Sequence, residues 1–234
     1  MTPNDVRAEI DRLTLTLLEK ALAVDSNRAV RLGGGGREWV TCASPQDQEP
    51  PLYASASVEE YVRLLRHRQY SVLLRDFAML QLWLEFERGA PSKHRFCFFP
   101  CPVIVDDAVE ELGIADYIDA LTTEELMRRT VLDGPIRLDF DRSAAGVGHP
   151  AAHLTIARNC CRVPLFGPLS IGHFVRFIFS NFYPDWWGEF KYLRDWPLDW
   201  FTRTVTEQER QVLHVECRQP LVEKLFGGLH SKRR

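Results

Sequence analysis

Four residues of this chain have the chemistry of a general acid/base or hard-metal site. In Leu80-Gln81-Leu82-Trp83-Leu84-Glu85-Phe86-Glu87 and again in Ile136-Arg137-Leu138-Asp139-Phe140-Asp141, apolar residues alternate with other residues. Alternation at period two is the mark of a strand, so Glu85, Asp139 and Asp141 share the face opposite the apolar one. His153, within His153-Leu154-Thr155-Ile156, joins them if Leu154 and Ile156 continue the apolar face. Carboxylate oxygens and an imidazole bind divalent ions and accept protons, and phosphodiester hydrolysis uses such sets. Glu85, Asp139, Asp141 and His153 are therefore the candidate catalytic residues, with a divalent cation as the implied cofactor of a nuclease or phosphodiesterase. Against that, a sheet with one solvated face must carry polar residues at alternate positions, and acids beside Arg137 make ordinary surface ion pairs. The second reading outweighs the first, and no metal ligands are assigned. His149 and His153 would share a face only on a helix, which Pro150 opposes.

A second group, His94, Arg95, His149 and Arg162, could hold phosphate or another ligand, with Arg158 nearby and Trp83 and Phe99 as stacking surfaces. The basic cluster is thin, and no RNP-type aromatic signature accompanies it. Gly33 to Gly36 is followed by Arg37-Glu38-Trp39 rather than by the Lys-Ser/Thr that a phosphate loop requires, so it reads as a loop. The six cysteines, at 42, 97, 101, 160, 161 and 217, include no CxxC pair, and Cys97, Cys101, Cys160 and Cys161 lack zinc-knuckle spacing and read as free buried thiols. Cys161 as a nucleophile with His149 or His153 as base requires a proximity that spacing cannot supply.

Positioning these residues falls to an α+β fold with an antiparallel sheet of about four or more strands. Two hairpins, over residues 80–99 and 136–156, form it, and helices pack mainly on one face. Residues 88–92 are the first turn, and Pro100 and Pro102 stop the strand after it. The steps between Val6, Ile10, Leu13 and Leu17 predict an amphipathic helix over 5–23. Ser57 with Glu60, Thr122 with Glu125 and Thr206 with Glu209 have capping-box spacing and predict three further helix starts. Residues 171–178 predict a helix on the sheet. The whole, 1–234, reads as one domain with a flexible loop at about 33–51 and an aromatic-rich C-terminal segment, 183–234, whose tryptophans suit a core or a partner interface.

Composition narrows the function classes. The 234 residues carry 29 Lys and Arg against 32 Asp and Glu, a net charge of -3, so no general polyanion or membrane-surface binder is expected. No stretch of eighteen apolar residues and no signal-like segment occurs, and the cysteine usage suits a reducing cytoplasm.

The series Lys93-His94-Arg95-Phe96-Cys97-Phe98-Phe99-Pro100-Cys101-Pro102, then Arg137 to Asp141, His149-Pro150, His153-Leu154 and Cys161-Arg162-Val163-Pro164, resembles an uncharacterised bacterial family, domain of unknown function 2290. Gly167-Pro168-Leu169 and Asn181-Phe182-Tyr183 extend the resemblance over most of the chain. It implies a bacterial cytosolic protein in the company of mobile-element and phage-defence genes, and supplies no catalytic residues. Three functions follow in order of expectation. The first is a non-enzymatic accessory subunit with a protein partner in a nucleic-acid-processing or phage-defence complex, touching nucleic acid directly or through that partner. The second is a metal-dependent nuclease on the carboxylates, and the third a nucleotide-sized-ligand sensor near Arg95, His149 and Arg162.

Overall fold

The computed structural model describes residues 1–42, 57–131, 134–146, 148–156, 161–198 and 203–215. Its centre is one antiparallel sheet of nine strands. The strands are β1 (Ala23–Ser26), β2 (Val30–Gly34), β3 (Arg37–Thr41), β4 (Val72–Leu74), β5 (Met79–Glu87), β6 (Ala90–Phe99), β7 (Ile136–Asp141), β8 (Ala152–Ile156) and β9 (Arg162–Pro164). They lie in the order β1-β4-β5-β6-β7-β8-β9, with the β2–β3 hairpin joining through β3 to the far end of β5. The two expected hairpins, β5–β6 and β7–β8, are its middle.

Register follows the alternation. On one face Leu80, Phe98, Ile136 and Ile156 form a row across four strands, and Leu82, Phe96, Leu138, Leu154 and Val163 form the next. A slip by one residue would turn every one of these side chains to the other face, so the apolar rows pin the pairing. Helix α1 (Pro3–Glu19) covers this face with Val6, Ile10, Leu13 and Leu17, all fully buried. Its start is fixed by Thr2 and Asp5, which cap each other's backbone N–H groups, and it stops short of the expected residue 23 because Ala23 already pairs with Leu74.

On the same face lies the helix Ile171–Phe182, capped by Ser170 and packed through Phe174 on Phe96, with Phe182 on Phe98. The aromatic segment then folds back through two short helices, Pro184–Glu189 and Lys191–Arg194, and docks on α1. Trp196 donates its indole N–H to the buried Glu9 at 2.9 Å, and the Arg12 guanidinium lies over its ring. This part of the segment is core, while Trp200 lies outside the described residues. The close fit has a consequence at Gly172, where an added Cβ would sit 1.8 Å from the Pro197 carbonyl oxygen. Backbone cannot swing aside, so Gly172→Ala should cost about 1–3 kcal/mol by overpacking. A thermal melt of the variant against wild type measures it.

A smaller apolar cluster covers one end of the opposite face. There Met79, Cys97 and Phe99 meet α2 (Val58–Arg66) through Tyr61, Leu64 and Leu65. Two helical turns that no sequence pattern announces, Val109–Leu112 and Ile114–Ala120, add Val109, Tyr117 and Ile118. Phe99 is thereby core rather than a stacking surface. A further helix, Thr123–Arg129, has the expected Thr122 and Glu125 capping box and buries none of its residues.

The glycine tract is ordered differently from the expected flexible loop. Gly33 and Gly34 end β2, Gly35 and Gly36 turn the chain, and Arg37 begins β3. Gly33 sits at φ +96°, and a Cβ there would meet the Trp39 ring at 2.6 Å. Only glycine suits that position. The remainder of the expected loop, 43–51, lies outside the described residues.

Candidate functional site

The face opposite α1 and the helix Ile171–Phe182 carries three rows of side chains. The first is Gln81, Cys97, Arg137, Thr155 and Arg162; the second is Trp83, Arg95, Asp139, His153 and Pro164; the third is Trp39, Glu85, Lys93 and Asp141. A solvated face is not what the structure has. Gln81, Trp83, Glu85, Arg137, Asp139, His153 and Thr155 are all buried. Every residue of β5 from Met79 to Phe86 is buried on either face. Trp83, proposed as a stacking surface, is 6% exposed.

Polar groups removed from water must find partners, and these do so side chain to side chain. Asp139 accepts from Arg95 Nε at 3.1 Å through Oδ1, while Oδ2 lies 3.4 Å from Arg137 Nε. His153 Nε2 stands 3.7 Å from the same Oδ2, and its Nδ1–H donates to the Pro150 carbonyl at 2.9 Å. The acceptor on that side assigns the neutral tautomer with the proton on Nδ1. Burial lowers the His153 pKa, and the Asp139 charge only partly offsets it. The His149 ring meets the His153 ring edge to face, with centroids 4.9 Å apart.

Glu85 belongs to another row and has other partners. Trp39 donates its indole N–H to Oε2 at 3.2 Å, and Ser92 donates its hydroxyl to Oε1 at 2.9 Å. Ser92 is placed there by a bulge, since Glu85 pairs with Lys93 and Phe86 already with Pro91. Asp141 ends β7 and caps the 3-10 turn Arg142–Ala144, accepting from the Ser143 and Ala144 backbone N–H groups through Oδ1. Its Oδ2 lies 3.1 Å from Lys93 Nζ. Burial raises its pKa, but the bonds from Ser143 and Lys93 outweigh that and hold the carboxyl below the ordinary range.

Of the four candidate catalytic residues, then, Asp139 and His153 are neighbours, whereas Glu85 and Asp141 lie in the adjoining row. Among the described residues no three His, Cys, Asp or Glu side chains stand close enough to hold a metal. The donor set does not fit a divalent-ion centre.

The second group also divides. His94 points to the apolar face, where it is 2% exposed and stacks on Phe96. Its Nδ1 bonds the Leu138 carbonyl and its Nε2 accepts the Leu169 N–H at 3.0 Å. Burial brings its pKa down to about 3. It is a core residue, as its alternation with Phe96 and Phe98 requires, and is corrected from the ligand set. Arg95 is committed to Asp139. His149 and Arg162 sit at the β8–β9 end of the polar face.

The thiols follow burial. Cys97 is buried, which pushes its pKa up to about 12, and Cys42 is pushed to about 11. Cys161 is exposed and, among the described residues, bonds neither histidine. Cys160 and Cys217 lie outside the described residues, as does Arg158.

Two open clefts flank the polar face. One, of about 550 Å³, lies at the β5–β6 turn and is lined by Arg37, Glu85, Arg88, Lys93, Asp141 and Arg142, among others. Arg37, Arg88 and Arg142 are well exposed there, and Arg88 and Arg142 have no ion-pair partner among the described residues. The other, of about 600 Å³, lies beside β9. Nothing in the sequence marks Arg37, Arg142, Trp39, Ser92 or Thr204, because each becomes relevant only through the other elements that the fold brings beside it.

No curated protein and no solved structure matches the chain. A family match does exist, over residues 22–217, which spans the sheet, both flanking clefts and the polar array. The chain belongs to the DUF2290 family of uncharacterized conserved proteins.

Proposed function

We propose that this protein is a non-enzymatic accessory subunit, cytoplasmic and bacterial, of a nucleic-acid-processing or phage-defence complex. In this reading it touches nucleic acid through the cleft at the β5–β6 turn. The observation that carries the non-enzymatic part is the engagement of Asp139 by Arg95 and Arg137, with Glu85 and Asp141 held by their own partners. Carboxylates so committed have their oxygens engaged within the fold rather than open to a metal.

Support for the nucleic-acid part is the set of exposed arginines lining the cleft. Phosphate contacts need cations with no internal partner, and Arg88 and Arg142 line the cleft without an ion-pair partner among the described residues. A protein partner is supported by the excursion between β6 and β7. It presents Ile104, Leu112 and Met127 at 59%, 50% and 77% exposure, large apolar side chains that a partner would bury.

Fluorescence anisotropy with a labelled oligonucleotide tests the cleft. Wild type should bind with an affinity that falls steeply as salt rises. Replacing Arg88 and Arg142 together by Ala should reduce the salt slope by about 1 for each phosphate that is no longer neutralised, with little change in base preference. Equal binding by the double variant would overturn the assignment.

A further inference from the structure

The cleft beside β9 lies apart from the nucleic-acid surface and has a different character. Its walls come from the β7–β8 connection, from β9 and from the stretch that leads into the last helix, Glu207–Arg210. Arg162 on β9 is half-buried and lines it, as do Thr204 and Gln208.

Two of these side chains carry polar atoms that are unpartnered among the described residues. Arg162 Nε and Thr204 Oγ1 are buried and, among the described residues, have no hydrogen-bond partner. Arg162 makes no ion pair there either. Thr155, which pairs with Arg162 across β8 and β9, has a buried hydroxyl in the same condition. An orphaned buried donor costs about 1–3 kcal/mol, and a guanidinium more. Two such atoms on residues that line one cleft, with a third on the strand neighbour of Arg162, indicate a site completed from outside.

The carboxylate in the cleft does not supply the missing acceptor. Glu209 Oε2 is tied back to Thr206, accepting its N–H at 2.7 Å and its hydroxyl at 2.9 Å. Thr206 is consumed in the same capping box, since its Oγ1 also accepts the Glu209 N–H. What remains on the residues that line the cleft is the Arg162 guanidinium, the buried Thr204 hydroxyl beneath the surface and the exposed Gln208 amide, a set dominated by donors. Its complement is a planar or tetrahedral oxyanion, which a guanidinium binds through charge-assisted bonds. A volume of about 600 Å³ is ample for a ligand of nucleotide size.

We infer that the cleft beside β9 binds a small molecule through a phosphate or carboxylate group held by Arg162 and Thr204. This site is independent of the β5–β6 cleft, and neither assignment needs the other.

Isothermal titration calorimetry with inorganic phosphate, succinate, AMP and adenosine tests it. At least one of the three anions should give a saturable isotherm, and adenosine, which lacks an oxyanion, should not bind as tightly as AMP. Arg162→Gln should weaken binding about tenfold or more, and Thr204→Val several-fold, with Arg88→Ala leaving it unchanged. Unchanged far-UV circular dichroism would separate lost binding from lost folding. If no anion gives a saturable isotherm up to about 10 mM, the orphaned atoms are satisfied by water alone and the inference falls. Binding that is indifferent to Arg162→Gln would overturn it equally.

Discussion

Asp139→Ala should destabilise the protein by about 3–5 kcal/mol, among the largest losses expected of any single substitution on the polar face. The carboxylate is 7% exposed and lies between the guanidinium groups of Arg95 and Arg137, the latter 5% exposed. Removing it leaves two cations in a region of low dielectric with their shared counter-charge gone, and that desolvation is not recovered. Asp139→Asn keeps the shape and one acceptor and should lose less. A different outcome is expected when the whole cluster is changed at once. Arg95→Met, Asp139→Leu and Arg137→Met together remove both the attraction and the desolvation, so most of the stability should return. Urea titrations of the three variants measure these differences. A cost below about 1 kcal/mol for Asp139→Ala would mean that the cluster behaves as a solvated surface pair.

Acid should weaken the fold through His94, by an amount on the order of 5 kcal/mol across the full range. In the folded protein Nδ1 donates to the Leu138 carbonyl, and Nε2 faces the Leu169 N–H. A second proton on Nε2 would set two N–H groups against each other inside the core. The folded imidazole therefore stays neutral down to about pH 3, whereas in the unfolded chain it takes up a proton near pH 6.5. Between those values the unfolded state binds a proton that the folded state refuses. Stability thus falls as pH falls, by about 1.4 kcal/mol per pH unit, and His94 contributes no slope above about pH 6.5. Other groups titrate in the same window, so the informative quantity is a difference between proteins. His94→Gln should be less stable at pH 7 yet flatter between pH 6 and 4. Parallel pH profiles for the two would show that His94 is protonated in the folded state.

The parts of this fold that were legible from sequence are those with local causes. Alternation in β5, β6, β7 and β8 reports the sheet because one face packs on apolar helices and the other carries the polar cluster, which imposes a period of two within each strand. The Thr122–Glu125 and Thr206–Glu209 capping boxes are contacts over three residues, and both formed. Three-residue β4 and β9 and four-residue β1 are too short for a period to show. β4 is placed by pairing with β5, β1 in turn by pairing with β4, and β9 by pairing with β8.

The candidate site was half legible for the same reason. Alternation placed Glu85, Asp139, Asp141 and His153 on one face and His94 on the other. It could not show that this face is buried, because burial depends on cover from distant chain. Nor could it show which acids share a row, which decides whether they can act together. Trp39 reaches Glu85 across 46 residues, and no local pattern encodes that contact.

The central claim is that the polar face is a structural ion and hydrogen-bond cluster in a binding protein, and a cleavage assay addresses it most directly. The purified chain would be incubated with labelled single- and double-stranded DNA and RNA, in magnesium or manganese and again in EDTA, and the products resolved by gel. The prediction is that every substrate keeps its length in all conditions while anisotropy reports salt-dependent binding. Metal-dependent cleavage that EDTA stops and that a folded Asp139→Asn variant cannot perform would contradict the account.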